Sequence, residues 1–293
     1  MSVDPAAVTA IDTHVHVESD AQGRRSLDPE LMDASAAYFK AGQDRTPTLE
    51  RIAEHYRERN LAAVVFTVDA HTATGHPALS SLEIVTAAAA HADVLIPFAS
   101  VDPHDGADAV RLFTDLVAAG ARGLKLHPSL QAFVPNDPAV YPLYEAAAQA
   151  GVPIVFHTGQ TGIGAGLPGG RGIKLRFSDP MLIDDVAADL PDLSIVLAHP
   201  SVPWPDAAIS IATHKANVFI DLSGWSPKYF PPQLVRAAGG LLKRKVLFGS
   251  DYPVISPDRW LADFAALEIK PEVRPLILKD NAARLLGLTG AGR

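Results

Sequence analysis

The stretch Ile11-Asp12-Thr13-His14-Val15-His16 places two imidazoles two residues apart at the end of a short, largely apolar run. On a strand, residues i and i+2 point to the same face. His14 and His16 therefore project together, with Asp12 expected behind them on that side. Two imidazoles on one face can hold a divalent cation between them. An isolated His-x-His reads as a polar strand end. Here three later apolar runs end in His157, His199 and Asp251, and together they complete a nitrogen-and-oxygen ligand set. The chain has no cysteine, which excludes thiolate ligands, disulfides and a cysteine nucleophile.

These residues are useful only if the fold brings them to one place. Apolar runs at 11–16, 62–69, 94–101, 123–128, 152–157, 193–199, 217–222 and 245–249 read as strands. Helical spacing at 48–60, 80–92, 107–119, 138–150, 180–189, 204–215 and 231–242 separates them, and helices at 258–267 and 272–286 follow. The strands are continuous apolar runs, as in a parallel sheet covered on both faces. The count and alternation predict an α/β fold, a (β/α)8 TIM barrel with parallel strands and outer helices, in one domain over 1–293. A doubly wound open sheet usually carries a Gly-rich phosphate loop after its first strand; His14 and His16 stand there instead. In a barrel the C-terminal strand ends share one opening, so His14, His16, Lys125, His127, His157, His199 and Asp251 would converge. Two segments exceed ordinary connections. One is an insertion at about 18–47, with a weak helical pattern around 29–40, expected to serve function or cap a site. The other is a Gly-rich loop at about 159–178. It matches no phosphate-loop spacing and reads as a mobile substrate loop.

Composition narrows the partners. A formal net charge of −8 argues against nucleic acid, whose phosphates demand a basic surface. No apolar run approaches the length of a membrane span. The N-terminus lacks a basic start followed by an apolar core, so no signal peptide is expected and the reading is a cytoplasmic protein. The expected partner is a small-molecule substrate, with a homo-oligomer left open.

His14-x-His16, His157, Ala198-His199-Pro200 and Gly249-Ser250-Asp251-Tyr252-Pro253 together resemble the amidohydrolase superfamily, more narrowly its amidohydrolase-2 branch, over nearly the whole chain. That branch also contains aromatic-acid decarboxylases and C–C bond hydrolases. The resemblance implies one divalent metal ion, zinc first and manganese or another divalent ion as the alternative, held by His14, His16, His157 and Asp251. It implies catalytic roles for Asp251, accepting a proton from water, and His199, orienting the nucleophile or protonating the leaving group. In binuclear members a carboxylated lysine of the fourth strand bridges two metals. Lys125 is the candidate by strand number, but a single metal with Lys125 binding substrate is the preferred reading. Lys125, His127 and Trp225 are the substrate-binding candidates. Phe133, Trp225, Tyr229 and Phe230 could line an aromatic pocket, or simply pack as loops.

The first functional reading is a metal-dependent hydrolase that directs water at a carbonyl in an ester, lactone, amide, thioester or β-keto C–C bond. A non-oxidative decarboxylase of an aromatic or unsaturated acid is the second. A non-catalytic metal- or ligand-binding barrel is the third. The sequence does not name the substrate.

Overall fold

A computed structural model describes residues 3–39 and 45–288. Eight parallel strands run in chain order: β1 (Ala10–His16), β2 (Leu61–Phe66), β3 (Leu95–Pro97), β4 (Leu124–Leu126), β5 (Ile154–His157), β6 (Ile195–Ala198), β7 (Val218–Asp221) and β8 (Val246–Leu247). Regular ladders form a three-stranded sheet, β1-β2-β3, and a five-stranded sheet, β4-β5-β6-β7-β8. Two seams join them. At one, Ala99 pairs with Leu124, and Lys125 N–H donates to Ala99 O at 2.8 Å. At the other, Val15 pairs with Tyr252, Thr13 N–H donates to Phe248 O at 2.9 Å, and Asp251 N–H donates to His14 O at 3.0 Å. The architecture is the expected (β/α)8 barrel.

Alternation along the strands builds two apolar layers. Ile11, Val64, Phe66, Phe98, Val155, Val196 and Leu247 pack against one another inside the barrel. Their neighbours in sequence, such as Val15, Val65, Leu126, Phe156, Leu197 and Ile220, pack outward against the helices. The helices follow the apolar spacing. Leu49–Arg57 buries Leu49, Ile52, Ala53 and Tyr56, and Thr48 caps it by accepting from Arg51 N–H. The expected helix over 272–286 is instead a π-helical turn, Leu276–Asp280, running into Asn281–Leu285.

The insertion forms a full helix, Pro29–Phe39, where the sequence shows only a weak pattern; Lys40 lies outside the described residues. Tertiary contacts hold it. Leu31 is buried against Leu27, Val68 and Leu130, with Met32 and Ile163 packed alongside. The helix also meets the Gly-rich loop: Glu30 pairs with Arg171 at 2.8 Å, and Gln160 Nε2 donates to Tyr38 Oη at 3.3 Å. A Cβ at Gly162 would fall 2.1 Å from Phe39 Cε2, so only glycine permits this approach.

Candidate metal centre

β1 is not a plain strand. Its register against β2 shifts between Asp12 and Val15. Ile11 and His14, three residues apart, therefore both face inward, and Asp12 does not lie behind the histidines as strand alternation predicts. Its carboxylate accepts from Tyr56 Oη at 2.7 Å on the outer helix, from Ser250 N–H at 2.9 Å and from His14 N–H at 3.1 Å. That buried carboxylate ties β1 to the segment after β8. Its pKa is raised to about 7, because burial outweighs the hydrogen bonds it accepts.

His14 and His16 do point the same way. Asp251 Oδ1 lies 3.5 Å from His14 Nε2 and 3.2 Å from His16 Nε2. The ligand atoms of His14, His199 and Asp251 all lie within 4.8 Å of one another. His157 joins through its Nδ1, 2.9 Å from His199 Nε2. Two of these residues depend on unusual backbone. Ala198 packs inside the barrel, so a continued strand would turn His199 outward; its φ of 75° redirects it. Asp251 likewise has φ 69°. Left-handed backbone at non-glycine residues is uncommon and gathers at functional sites.

Asp221, the last residue of β7, is the functional residue that sequence reasoning missed. Phe219 packs with the inner layer, so Asp221 two residues later faces inward; that periodicity could have found it. Its Oδ2 accepts from His14 Nδ1 at 2.9 Å. Its Oδ1 accepts from Ser223 N–H at 2.9 Å, from His199 N–H at 3.3 Å and from the Ser223 hydroxyl. Ser223 Oγ in turn lies 2.8 Å from His199 Nδ1. A carboxylate accepts only, so His14 carries its proton on Nδ1. Ser223 spends its proton on Asp221 and accepts from His199 Nδ1–H. Both imidazoles therefore carry lone pairs on Nε2: that of His14 accepts from Lys125 Nζ at 3.2 Å with Asp251 Oδ1 3.5 Å away, and that of His199 meets His157 Nδ1 at 2.9 Å, which is then the protonated nitrogen of His157. Orienting ligands through their second nitrogen is how proteins prepare metal sites. Gly249 makes room: a Cβ there would lie 2.9 Å from Ser223 Cβ and 3.1 Å from His14 Cβ.

The donor set of imidazoles and a carboxylate suits a divalent ion such as zinc or manganese. His157 Nε2 is buried and meets no hydrogen-bond partner among the described residues. Lys125 is fully buried beneath the cluster, not in the wall of the cavity, with Nζ 3.2 Å from His14 Nε2 and 5.0 Å from the Phe66 ring centroid. Burial lowers its pKa to about 8, against the pull of Asp221 and Asp251.

Above the cluster lies a cavity of about 330 Å³, walled by His127, Trp225 and Tyr229, the insertion helix and the start of the Gly-rich loop. Phe133 and Phe230 belong instead to the buried core; Phe230 packs towards Trp260, with ring centroids 6.3 Å apart. The sequence could not separate loop aromatics that line a cavity from those that fill a core.

A sequence profile described as amidohydrolase matches residues 11–288. The chain belongs to the amidohydrolase family. No curated protein matches it. Among solved structures, an uncharacterised TIM-barrel protein, Bb4693 from Bordetella bronchiseptica, has 22% identity and TM-score 0.74, covering 96% of this chain and 99% of that one. A probable 2-pyrone-4,6-dicarboxylic acid hydrolase from Acinetobacter baumannii, with citric acid bound, has 18% identity and TM-score 0.64, covering 96% and 100%. A 5-carboxyvanillate decarboxylase from Novosphingobium aromaticivorans, complexed with manganese and a nitrobenzoic acid, has 13% identity and TM-score 0.67, covering 98% of each chain. Among the described residues, no helix of this amidohydrolase-family barrel is long and apolar enough to cross a membrane.

The imidazoles are held neutral. Burial, then the Lys125 ammonium, lowers His14 to about 3 against the attraction of Asp221 and Asp251. Burial also lowers His127 and His157 well below the ordinary value, and lowers His199. Groups depressed in the folded state bind fewer protons than their unfolded counterparts below about pH 6.5, so stability falls as pH drops through that range. Asp12 opposes this, since its raised pKa favours the folded state as pH falls below about 7. At about 1.4 kcal/mol per tenfold change in proton affinity, the imidazoles outweigh the single carboxyl. The metal-free protein should lose on the order of a few kcal/mol between pH 7 and pH 5. Urea midpoints at the two pH values check this, and an equal or higher midpoint at pH 5 contradicts it.

Proposed function

We propose that this amidohydrolase-family barrel is a metal-dependent hydrolase acting on a carbonyl-containing small molecule: an ester, lactone, amide, thioester or β-keto C–C bond. The observation that carries the reading is the cluster of His14 and His199, each fixed by Asp221 with its lone pair on Nε2, with Asp251, their ligand atoms within 4.8 Å of one another beneath a cavity. His14, His16, His157 and Asp251 would hold the ion, with His199 close enough to join them. A divalent ion there supplies Lewis acidity, polarising a carbonyl oxygen and acidifying water.

The groups at the cavity floor suit proton acceptance. Burial alone would raise Asp251, but the His16 hydrogen bond and the surrounding imidazole environment outweigh it and hold the carboxyl well below the usual carboxylate range. Asp251 can therefore take a proton from water, and His199 Nε2 is a second acceptor. An imidazolium formed at His199 would be steadied by Ser223 and, through it, by Asp221. Trp225 and Tyr229 supply apolar surface for the substrate body.

A non-oxidative decarboxylase is the second reading. It is favoured by the same-fold decarboxylase that binds manganese and an aromatic acid. It would need a proton donor to the carbon that loses carbon dioxide, and the cavity floor supplies mainly acceptors.

The purified protein should carry about one divalent ion per chain, and chelation should abolish turnover in a panel of esters, lactones and aromatic acids. His16→Ala should lose the ion. His199→Ala should keep most of it and lose turnover if His199 acts on water; equal metal loss in both variants would make His199 a ligand. Elemental analysis showing no stoichiometric metal, with chelator-insensitive activity, would sink the reading.

A further inference from the structure

We propose that His127 donates a hydrogen bond from its neutral Nε2–H to the substrate's carbonyl oxygen, an assignment that rests on the hydrolase reading above. His127 follows β4 directly, and its ring stands in the cavity wall with His157, His199 and Asp251. Its proton position is set by the backbone. Leu130 N–H donates to His127 Nδ1 at 3.2 Å, so Nδ1 is an acceptor and the ring hydrogen sits on Nε2.

The ring is also held in place. His127 N–H donates to Gln131 Oε1 at 2.7 Å, and Gln131 Nε2 donates to Asp69 O at 2.6 Å and Val101 O at 2.9 Å, anchoring the turn to the ends of neighbouring strands. One face of the imidazole stacks on His157, with centroids 3.7 Å apart and planes at 8°. Among the described residues the remaining contact of Nε2 is Thr161 Oγ1 at 3.5 Å, too long for a strong bond. Thr161 Oγ1 already accepts from Ile163 N–H at 3.1 Å. A fixed, weakly satisfied N–H at the edge of the cavity is left available to a ligand oxygen.

With its proton on Nε2, His127 presents no lone pair to the cavity. It serves there neither as a metal ligand nor as a base, in contrast to His14 and His199. When water adds to the carbonyl carbon, the C=O π pair moves onto oxygen, and the Nε2–H bond to that oxygen strengthens as charge builds. The proton of the adding water passes to Asp251; when the tetrahedral adduct collapses, the oxygen pair re-forms the C=O bond, the bond from carbon to the leaving group breaks with its pair on the leaving group, and that group takes the proton from Asp251, with no net proton change at His127. A donor already in place stabilises developing charge at no reorganisation cost at the moment of reaction.

The test pairs His127→Leu, which removes the donor, with His127→Gln, whose amide N–H extends towards the same region. Leu should lower kcat by roughly two to three orders of magnitude, the usual scale for one lost oxyanion donor. KM, metal content and the shape of the pH–rate profile should stay close to those of the unaltered protein, and Gln should restore about tenfold or more. Long-range proton–nitrogen NMR on the metal-loaded protein, with the Gln variant identifying the His127 signals, should report a neutral Nε2–H ring between pH 6 and 8. A cationic ring or an Nδ1–H ring overturns the proposal. So does a Leu variant with unchanged kcat, or one that loses metal or the acid limb of the pH profile. Metal-loaded protein that hydrolyses no acyl substrate, yet shows the Nε2–H ring, would instead overturn the hydrolase reading on which the assignment rests.

Discussion

Asp251→Asn should yield a folded, partly metal-loaded protein whose hydrolytic rate is reduced by roughly two or more orders of magnitude, the usual scale for removing a general base. Folding should survive because asparagine tolerates the φ of 69° at this position, and the backbone bond from residue 251 N–H to His14 O needs no side chain. The carboxylate is what the site loses. Asp251 Oδ1 faces the Nε2 atoms of both His14 and His16, so it would neutralise a metal ion held there and can take a proton from water. The amide keeps one oxygen and cannot act as a base at neutral pH. Melting curves, elemental analysis and kcat/KM on one preparation test the three parts together. Near-normal rates with metal in place would show that Asp251 does not accept the proton, and a role in which the centre mainly orients a substrate carboxylate would become the better account.

Asp221→Asn should cost the protein its metal although Asp221 is not among the proposed ligands. His14 Nδ1, His199 N–H, Ser223 N–H and the Ser223 hydroxyl all donate to Asp221. Asparagine offers one acceptor oxygen and a donating NH2. If the oxygen faces His14, the NH2 opposes the Ser223 and His199 donors. If it faces Ser223, His14 loses its acceptor and can carry its proton on Nε2, which removes the lone pair that a metal ion would use. Metal affinity should fall about 10–100-fold, the usual cost of removing a carboxylate that orients a ligand histidine. Stability should fall by about 1–3 kcal/mol, because a buried donor is left unmatched. Competition against a chelating dye measures the first and urea unfolding the second. Unchanged affinity would show that the His14 tautomer does not depend on Asp221.

The amino-acid sequence by itself determined the barrel, the strand ends that meet at its mouth, and His14, His16, His157, His199 and Asp251 as residues gathered there. Periodicity and residue type are local properties, and the β/α alternation repeats them often enough to be read from the chain. The insertion helix was barely legible because its apolar side is short and is completed by Leu27, Val68, Leu130 and Ile163. Asp12 was misplaced because the irregularity in β1 breaks the alternation from which its direction was inferred. Only the tertiary structure decided that Asp221 governs two histidines on different strands, that His127 carries its proton on Nε2, that Lys125 lies beneath the cluster, and that Phe133 and Phe230 fill the core. The hydrogen-bond assignments depend on which atom lies within about 3 Å of a given nitrogen or oxygen, and the core assignments on which side chains the fold packs together. Hydrogen-bond direction, tautomer and the exit of a side chain from a left-handed backbone are set by three-dimensional geometry, whether the partner is Asp221 for His14, 207 residues away, or Leu130 for His127, three residues away, so residue spacing carries no record of them.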